Sequence, residues 1–152
     1  MKFEKFLKQT GTHGTVIEIN ESEKWLVSGG VGMVIPRGVD NLLGTTINGE
    51  YASIVNVLSN AEYDDPVTLK KAILLDPTGG AKAIYRVFET DLGDTVAIGN
   101  AAYGLLEKSD LLGYGEIESK HIKTGETETV KYLLVYDNNG DILGFITGSH
   151  KF

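Results

Sequence analysis

The run "VKYLLVYDNNGDILGFIT", residues 130–147, constrains this chain more than any other stretch. Two apolar segments flank Asn139-Gly140. Asn-Gly is the strongest short-range hairpin signal, because a type I′ turn needs positive φ at both central residues. A two-residue loop there sets Tyr136 against Leu143, Val135 against Gly144, Leu134 against Phe145 and Leu133 against Ile146. Both faces of this pair are apolar. It is therefore expected at the centre of a sheet, covered on two sides, with helices on one of them.

A second hairpin is written into "WLVSGGVGMVIPRG", residues 25–38. A glycine-rich run beside a strand can also cradle phosphate, so that reading is tested first. A P-loop needs a Lys-Ser/Thr pair after its last glycine, and Gly32 is followed by Met33. A dinucleotide fingerprint needs a third glycine opening a helix. Here Met33, Val34 and Ile35 follow instead, and Pro36 disfavours helix. A hairpin over 25–35 uses more of the residues. With Gly29-Gly30 as its loop, Ser28 faces Val31, Val27 faces Gly32, Leu26 faces Met33 and Trp25 faces Val34. Gly32 then leaves room for Trp25 to lie across the pair.

The remaining elements follow from periodicity. Phe3, Phe6 and Leu7 give a short amphipathic helix over 2–9, ended by Gly11. Thr15–Asn20 reads as a strand, residues 20–24 as a turn and residues 36–49 as a turn-rich connection. Tyr51, Ile54, Val55 and Leu58 form the stripe of a helix over 50–60. Asp65 as N-cap and Pro66 at the first helical position introduce a third helix over 66–75, with Leu69, Ala72 and Ile73 buried. Ile84–Glu89, Thr95–Ile98 and Tyr114–Lys120 read as strands. Gly99-Asn100 is read as the loop of a hairpin over 95–106. The alternative, Asn100 capping a helix over Ala101–Lys108, stays open. A faint echo between "LVSGGVGMVI…DNLLG" and "VAIGNAAYGLL…SDLLG" favours the hairpin.

These elements make an α+β fold: a mainly antiparallel sheet built from the hairpins 25–35, 95–106 and 130–147, with the helices 2–9, 50–60 and 66–75 packed on it. No Pro/Ser-rich linker divides residues 1–152, so one domain is expected. At 152 residues, 41% hydrophobic and 23% charged, the chain can bury a core unaided. It has no cysteine, which removes disulfides and thiol chemistry. No apolar run reaches membrane-spanning length and the N-terminus lacks a signal-peptide pattern, so a cytoplasmic location is expected.

The chemistry-bearing residues form no catalytic signature. His13, His121 and His150 are far apart, without metal-ligand spacing. Asp137–Asp141 begins like a calcium loop but has Ile142 where the glycine belongs. Neither a metal nor a cofactor is expected. Formal net charge is −7, which disfavours direct binding to nucleic acid or an anionic membrane. Carboxylates gather in two stretches, Glu62/Asp64/Asp65 and Glu89/Asp91/Asp94. Paired carboxylates can serve hydrolysis or a two-metal centre, but Asp is also at home in turns and caps. These six residues are the candidate acidic interaction surface.

The motifs "KWLVSGGVGMVIPRGVDNLLG", "IYRVFETDLGD", "AAYGLLEKSD" and "YLLVYDNNGDILGFI" together resemble small uncharacterised proteins encoded in phages and prophages of Gram-positive bacteria (Firmicutes). The resemblance covers most of the chain and carries no activity or site residues. It implies a phage accessory protein in the bacterial host's cytoplasm. The expectation is a non-enzymatic protein acting by binding a protein partner not yet identified, as an inhibitor or regulator of a host protein. A virion or assembly component, and a small enzyme with an unrecognised carboxylate site, are the alternatives. Homo-oligomerisation is left open.

Overall fold

A computed structural model describes residues 1–39, 45–49, 53–75, 83–120 and 122–149. Its elements run α1 (Phe3–Thr10), β1 (Thr15–Glu18), β2 (Lys24–Ser28), β3 (Val31–Val34), β4 (Thr45–Asn48), α2 (Ser53–Ser59), β5 (Val67–Leu75), β6 (Ala83–Thr90), β7 (Thr95–Gly99), α3 (Asn100–Tyr103), β8 (Leu111–Lys120), β9 (Thr127–Tyr136) and β10 (Ile142–Thr147). The fold is α+β, as expected, but the strands form two sheets. One has seven strands in the order β4-β1-β2-β3-β10-β9-β8, and the other has three, β5-β6-β7.

Of the three expected hairpins, those at Gly29-Gly30 and Asn139-Gly140 form. In β2–β3 all four expected pairs are present. Gly29 and Gly30 take φ of 59° and 80°, the left-handed geometry that a two-residue loop demands and that side chains oppose. In β9–β10 the pairs at Val135, Leu134 and Leu133 form as expected, but Tyr136 faces Ile142, and the register shifts between Ile142 and Gly144. The loop is one residue longer than Asn139-Gly140 alone. Asp137 N–H donates to Asp141 O, and Asp137 Oδ1 accepts from the N–H groups of Asn139 and Asp141. The aspartate's own hydrogen bonds outweigh the tighter turn. Gly140, φ 81°, supplies the left-handed residue that closes a three-residue loop.

The space above Gly32 is used by Phe145 rather than Trp25. Phe145 pairs with Gly32 across β3–β10, and its ring lies where a Gly32 Cβ would stand. Trp25 stacks on that ring at 5.9 Å, and Tyr132 meets its other side edge-on at 5.7 Å. One missing side chain thus lets an aromatic row run across four strands.

The large sheet is covered on both faces. Ile17, Trp25, Leu134, Tyr136 and Phe145 face α2 through its Val55 and Leu58. Leu26, Met33, Leu133 and Ile146 on the opposite face pack with Phe6 of α1 and with Phe88, Val96 and Ile98 of the small sheet. No helix among the described residues is long and apolar enough to cross a membrane.

Several expectations fail for identifiable reasons. Residues 67–75 are strand β5, not a helix; they pair with β6 from Val67↔Thr90 to Leu75↔Ala83. The expected helical stripe is not buried, for Leu69 is 45% exposed. Val67, Thr68 and Ile73 are β-branched and suit a pleated surface, and Pro66, which lacks a donor, stands at the strand's entry. Residues 95–106 are not a hairpin: after β7 the chain turns into α3, with Gly99 rather than Asn100 at the N-cap. The internal echo therefore has no structural counterpart. Within the 36–49 connection, Thr45–Asn48 forms an edge strand parallel to β1. In α2, Val55 and Leu58 are buried but Ile54 is exposed; Glu50, Tyr51 and Ala52 lie outside the described residues.

Candidate functional site

Two features of the surface could carry function. One is a cleft of about 390 Å³ between α1, α3 and the Gly29-Gly30 turn. Phe6, Leu105 and Ile146 lie on its apolar side, and Gln9, Ser28 and Thr147 supply polar groups. No ionisable side chain among the described residues lines it. The glycine turn at its mouth is fixed from behind, because Gly30 O accepts from both the N–H and the hydroxyl of Thr147.

The other is an acidic face built where the chain crosses from α2 to β5. This segment, residues 61–66, passes around the outer edge of β8. On the α2 side Tyr136 donates its hydroxyl hydrogen bond to Glu62 O at 2.9 Å, and Tyr63 packs edge-on against the Tyr136 ring at 5.1 Å. On the other side the N–H of Tyr114 donates to Asp65 O at 2.8 Å, and Pro66 bridges to Gly113. Asp65 is therefore not a helix cap. Its backbone oxygen closes the first part of a sheet edge while its side chain stays exposed.

The two acidic stretches meet here although about thirty residues separate them. Tyr114 donates to Glu116 Oε2 at 2.8 Å. Burial, this hydrogen bond and the charges of Glu116, Asp94 and Asp65 hold its hydroxyl protonated far into the alkaline range. Tyr136 is pushed up to about 12, by burial first and then by Asp64, Asp65 and Glu62 with Tyr63. Two buried tyrosines, one on each face of the sheet, thus sense the same Asp65. Asp94 ends the β6–β7 turn, where its O accepts from Thr90 N–H and its N–H donates to Thr90 Oγ1. Asp91 is exposed on that turn beside Leu92, which is 89% exposed. Glu89 stands apart from this group: it is half-buried and paired with Lys70 Nζ at 3.3 Å.

Glu62, Asp64, Asp65, Asp91 and Asp94 are each exposed, whereas Glu89 is partly neutralised. Among the described residues no three carboxylates or histidines converge closely enough to hold a metal. His13 is exposed, and His121 and His150 lie outside the described residues. Sequence reasoning missed Glu116 and Glu118. Their signal was the alternation Glu116-Ile117-Glu118, which puts both carboxylates on the face of β8 that carries Tyr114. Comparison with models of known families, with curated proteins and with solved structures finds no match for this chain.

Proposed function

We propose that this chain is a non-enzymatic binding protein whose acidic face, formed by Glu62, Asp64, Asp65, Asp91, Asp94 and Glu116, receives a basic region of a protein partner. The setting is the one its resemblance implies, an accessory protein of a phage or prophage in a bacterial host. The observation that carries the reading is the pairing of Val67 with Thr90, which brings Asp65 beside the turn that holds Asp91 and Asp94, two acidic stretches remote in sequence. Leu92 adds an apolar anchor inside a charged rim, an arrangement that suits partner recognition. Charge of this kind speeds encounter and selects partners more than it adds affinity.

The test is affinity capture from a Gram-positive host lysate with the wild-type chain, with an Asp65→Lys/Asp94→Lys variant and with Leu92→Ser. The reading expects one basic protein that binds the wild type and is released between about 50 and 500 mM salt, where screening falls to a few ångströms. The charge-reversed variant fails to capture it, and Leu92→Ser weakens capture without unfolding the chain. Equal capture by the reversed variant, or salt-insensitive recovery with capsid or tail proteins, overturns the reading.

A further inference from the structure

The acidic face continues into an open strand edge. β8 is the last strand of the seven-stranded sheet, and among the described residues its outer side is closed by segment 61–66 only at Gly113 and Tyr114. The N–H of Tyr114 points away from β9, because it donates to Asp65 O. In an antiparallel strand N–H and C=O of one residue point the same way and alternate along the chain. The backbone groups of Glu116, Glu118 and Lys120 therefore also point outward, and none of them has a backbone partner on that side among the described residues. The same three residues carry their side chains on the Tyr114 face. An edge of about 20 Å, residues 115–120, thus presents hydrogen-bonding groups and carboxylates together.

We infer that this edge takes an added β-strand from a basic partner, an extended segment with Lys or Arg at two positions separated by one apolar residue. The inference rests on the acidic-face reading and specifies how the partner is held. The two basic side chains lie beside Glu116 and Glu118, and the residue between them meets half-buried Ile117 on the other face. Lys120 opposes a third basic residue at the next position and fixes the register. On the β9 side Lys131 stands opposite Glu116 and Thr129 opposite Glu118, so the added strand supplies the second flank of each carboxylate. A second copy of this chain fits less well. Antiparallel registers that align the outward-pointing residues set Glu116 against Glu118 twice, or Glu118 against its own copy with Glu116–Lys120 pairs on either side. Main-chain bonds supply affinity in such a complex and the alternating side chains supply specificity.

The probe is a capped peptide, Ser-Thr-Lys-Val-Lys-Thr-Ser, whose pattern is the same read in either direction. It is titrated into the full chain while backbone amide exchange is followed by NMR. The expected result is exchange of the Glu116 and Glu118 amides slowed about tenfold or more at saturation. The peptide with both lysines replaced by glutamate does not bind the wild type but binds Glu116→Lys/Glu118→Lys. The lysine peptide N-methylated at its three central residues keeps its charge, cannot pair its backbone, and binds at least about tenfold more weakly. Glu118→Pro, which removes only an outward N–H from the ladder, has the same effect. If the N-methylated peptide binds as well as its parent, or the two amides exchange unchanged, strand addition is wrong while charge-driven capture at Asp65 and Asp94 still stands. If the peptide does not bind at all, the edge inference falls, and the lysate capture decides the acidic-face reading separately.

Discussion

Replacing Tyr136 by Phe separates two consequences of burying one hydroxyl. Tyr136 is fully buried, and its hydroxyl donates to Glu62 O at 2.9 Å, tying β9 to the segment that rounds the sheet edge. Without that donor a partly buried carbonyl loses its partner, at a cost of about 1–2 kcal/mol near neutral pH. The alkaline side works the other way. The folded-state pKa of Tyr136 is raised from 10.0 to about 12, so the folded chain holds the proton more tightly than the unfolded chain. That stability is fully present below pH 10 and is lost as pH climbs toward 12; about 1.4 kcal/mol has gone by about pH 11. Tyr136→Phe has no such proton to lose. Tyr114 and Tyr132, also raised by burial, titrate in both proteins and cancel in the difference. The wild type therefore starts about 1–2 kcal/mol ahead, and the two stability curves meet near pH 11. Urea unfolding followed by the fluorescence of Trp25, the single tryptophan, measures both curves at stepped pH. A gap that stays constant from about pH 8 to about pH 11 refutes the argument, because it means that Tyr136 ionises equally easily folded and unfolded.

Two further substitutions test how the sheet faces are built. Gly32→Ala places a methyl group where the Phe145 ring lies; it should cost about 1–3 kcal/mol and red-shift Trp25 emission as the stacked ring moves. An unchanged spectrum together with unchanged urea stability would show that Phe145 does not depend on that space. Leu58→Ala should cost about 2–4 kcal/mol and speed amide exchange across Ser53–Ser59, because a helix of seven residues is held by its buried side chains rather than by its own propensity. Exchange there as slow as in the wild type would mean that Val55 alone docks the helix.

What could be read from the sequence was what neighbouring residues decide. Gly29-Gly30 and the Asp137–Gly140 turn fix two hairpins through their own backbone requirements, and the apolar runs beside them fix which strands are central. β5 defeated the same logic. Asp65, Pro66 and the spacing of Leu69, Ala72 and Ile73 satisfy a helix locally, and only pairing with β6 decides against it. The short edge strand β4 and the turn into α3 depend on distant partners in the same way. The candidate site divides along this line too. The carboxylates of both stretches stood out one by one, but their meeting depends on residues 61–66 passing around β8. That crossing also explains why the site has an open side. Asp65 O and Pro66 occupy the edge at Gly113 and Tyr114, and from Val67 the chain leaves to pair with β6. Glu116 and Glu118 are left with outward backbone groups and, among the described residues, no strand on that side. Natural sheets guard such edges with charge. Here Glu116 and Glu118 lie on one face with Lys120 beyond them, and Glu116 accepts from the Tyr114 hydroxyl that Asp65 and Asp94 also act on. On the inference drawn above, Glu116 and Glu118 at this open edge favour a basic strand over an acidic one.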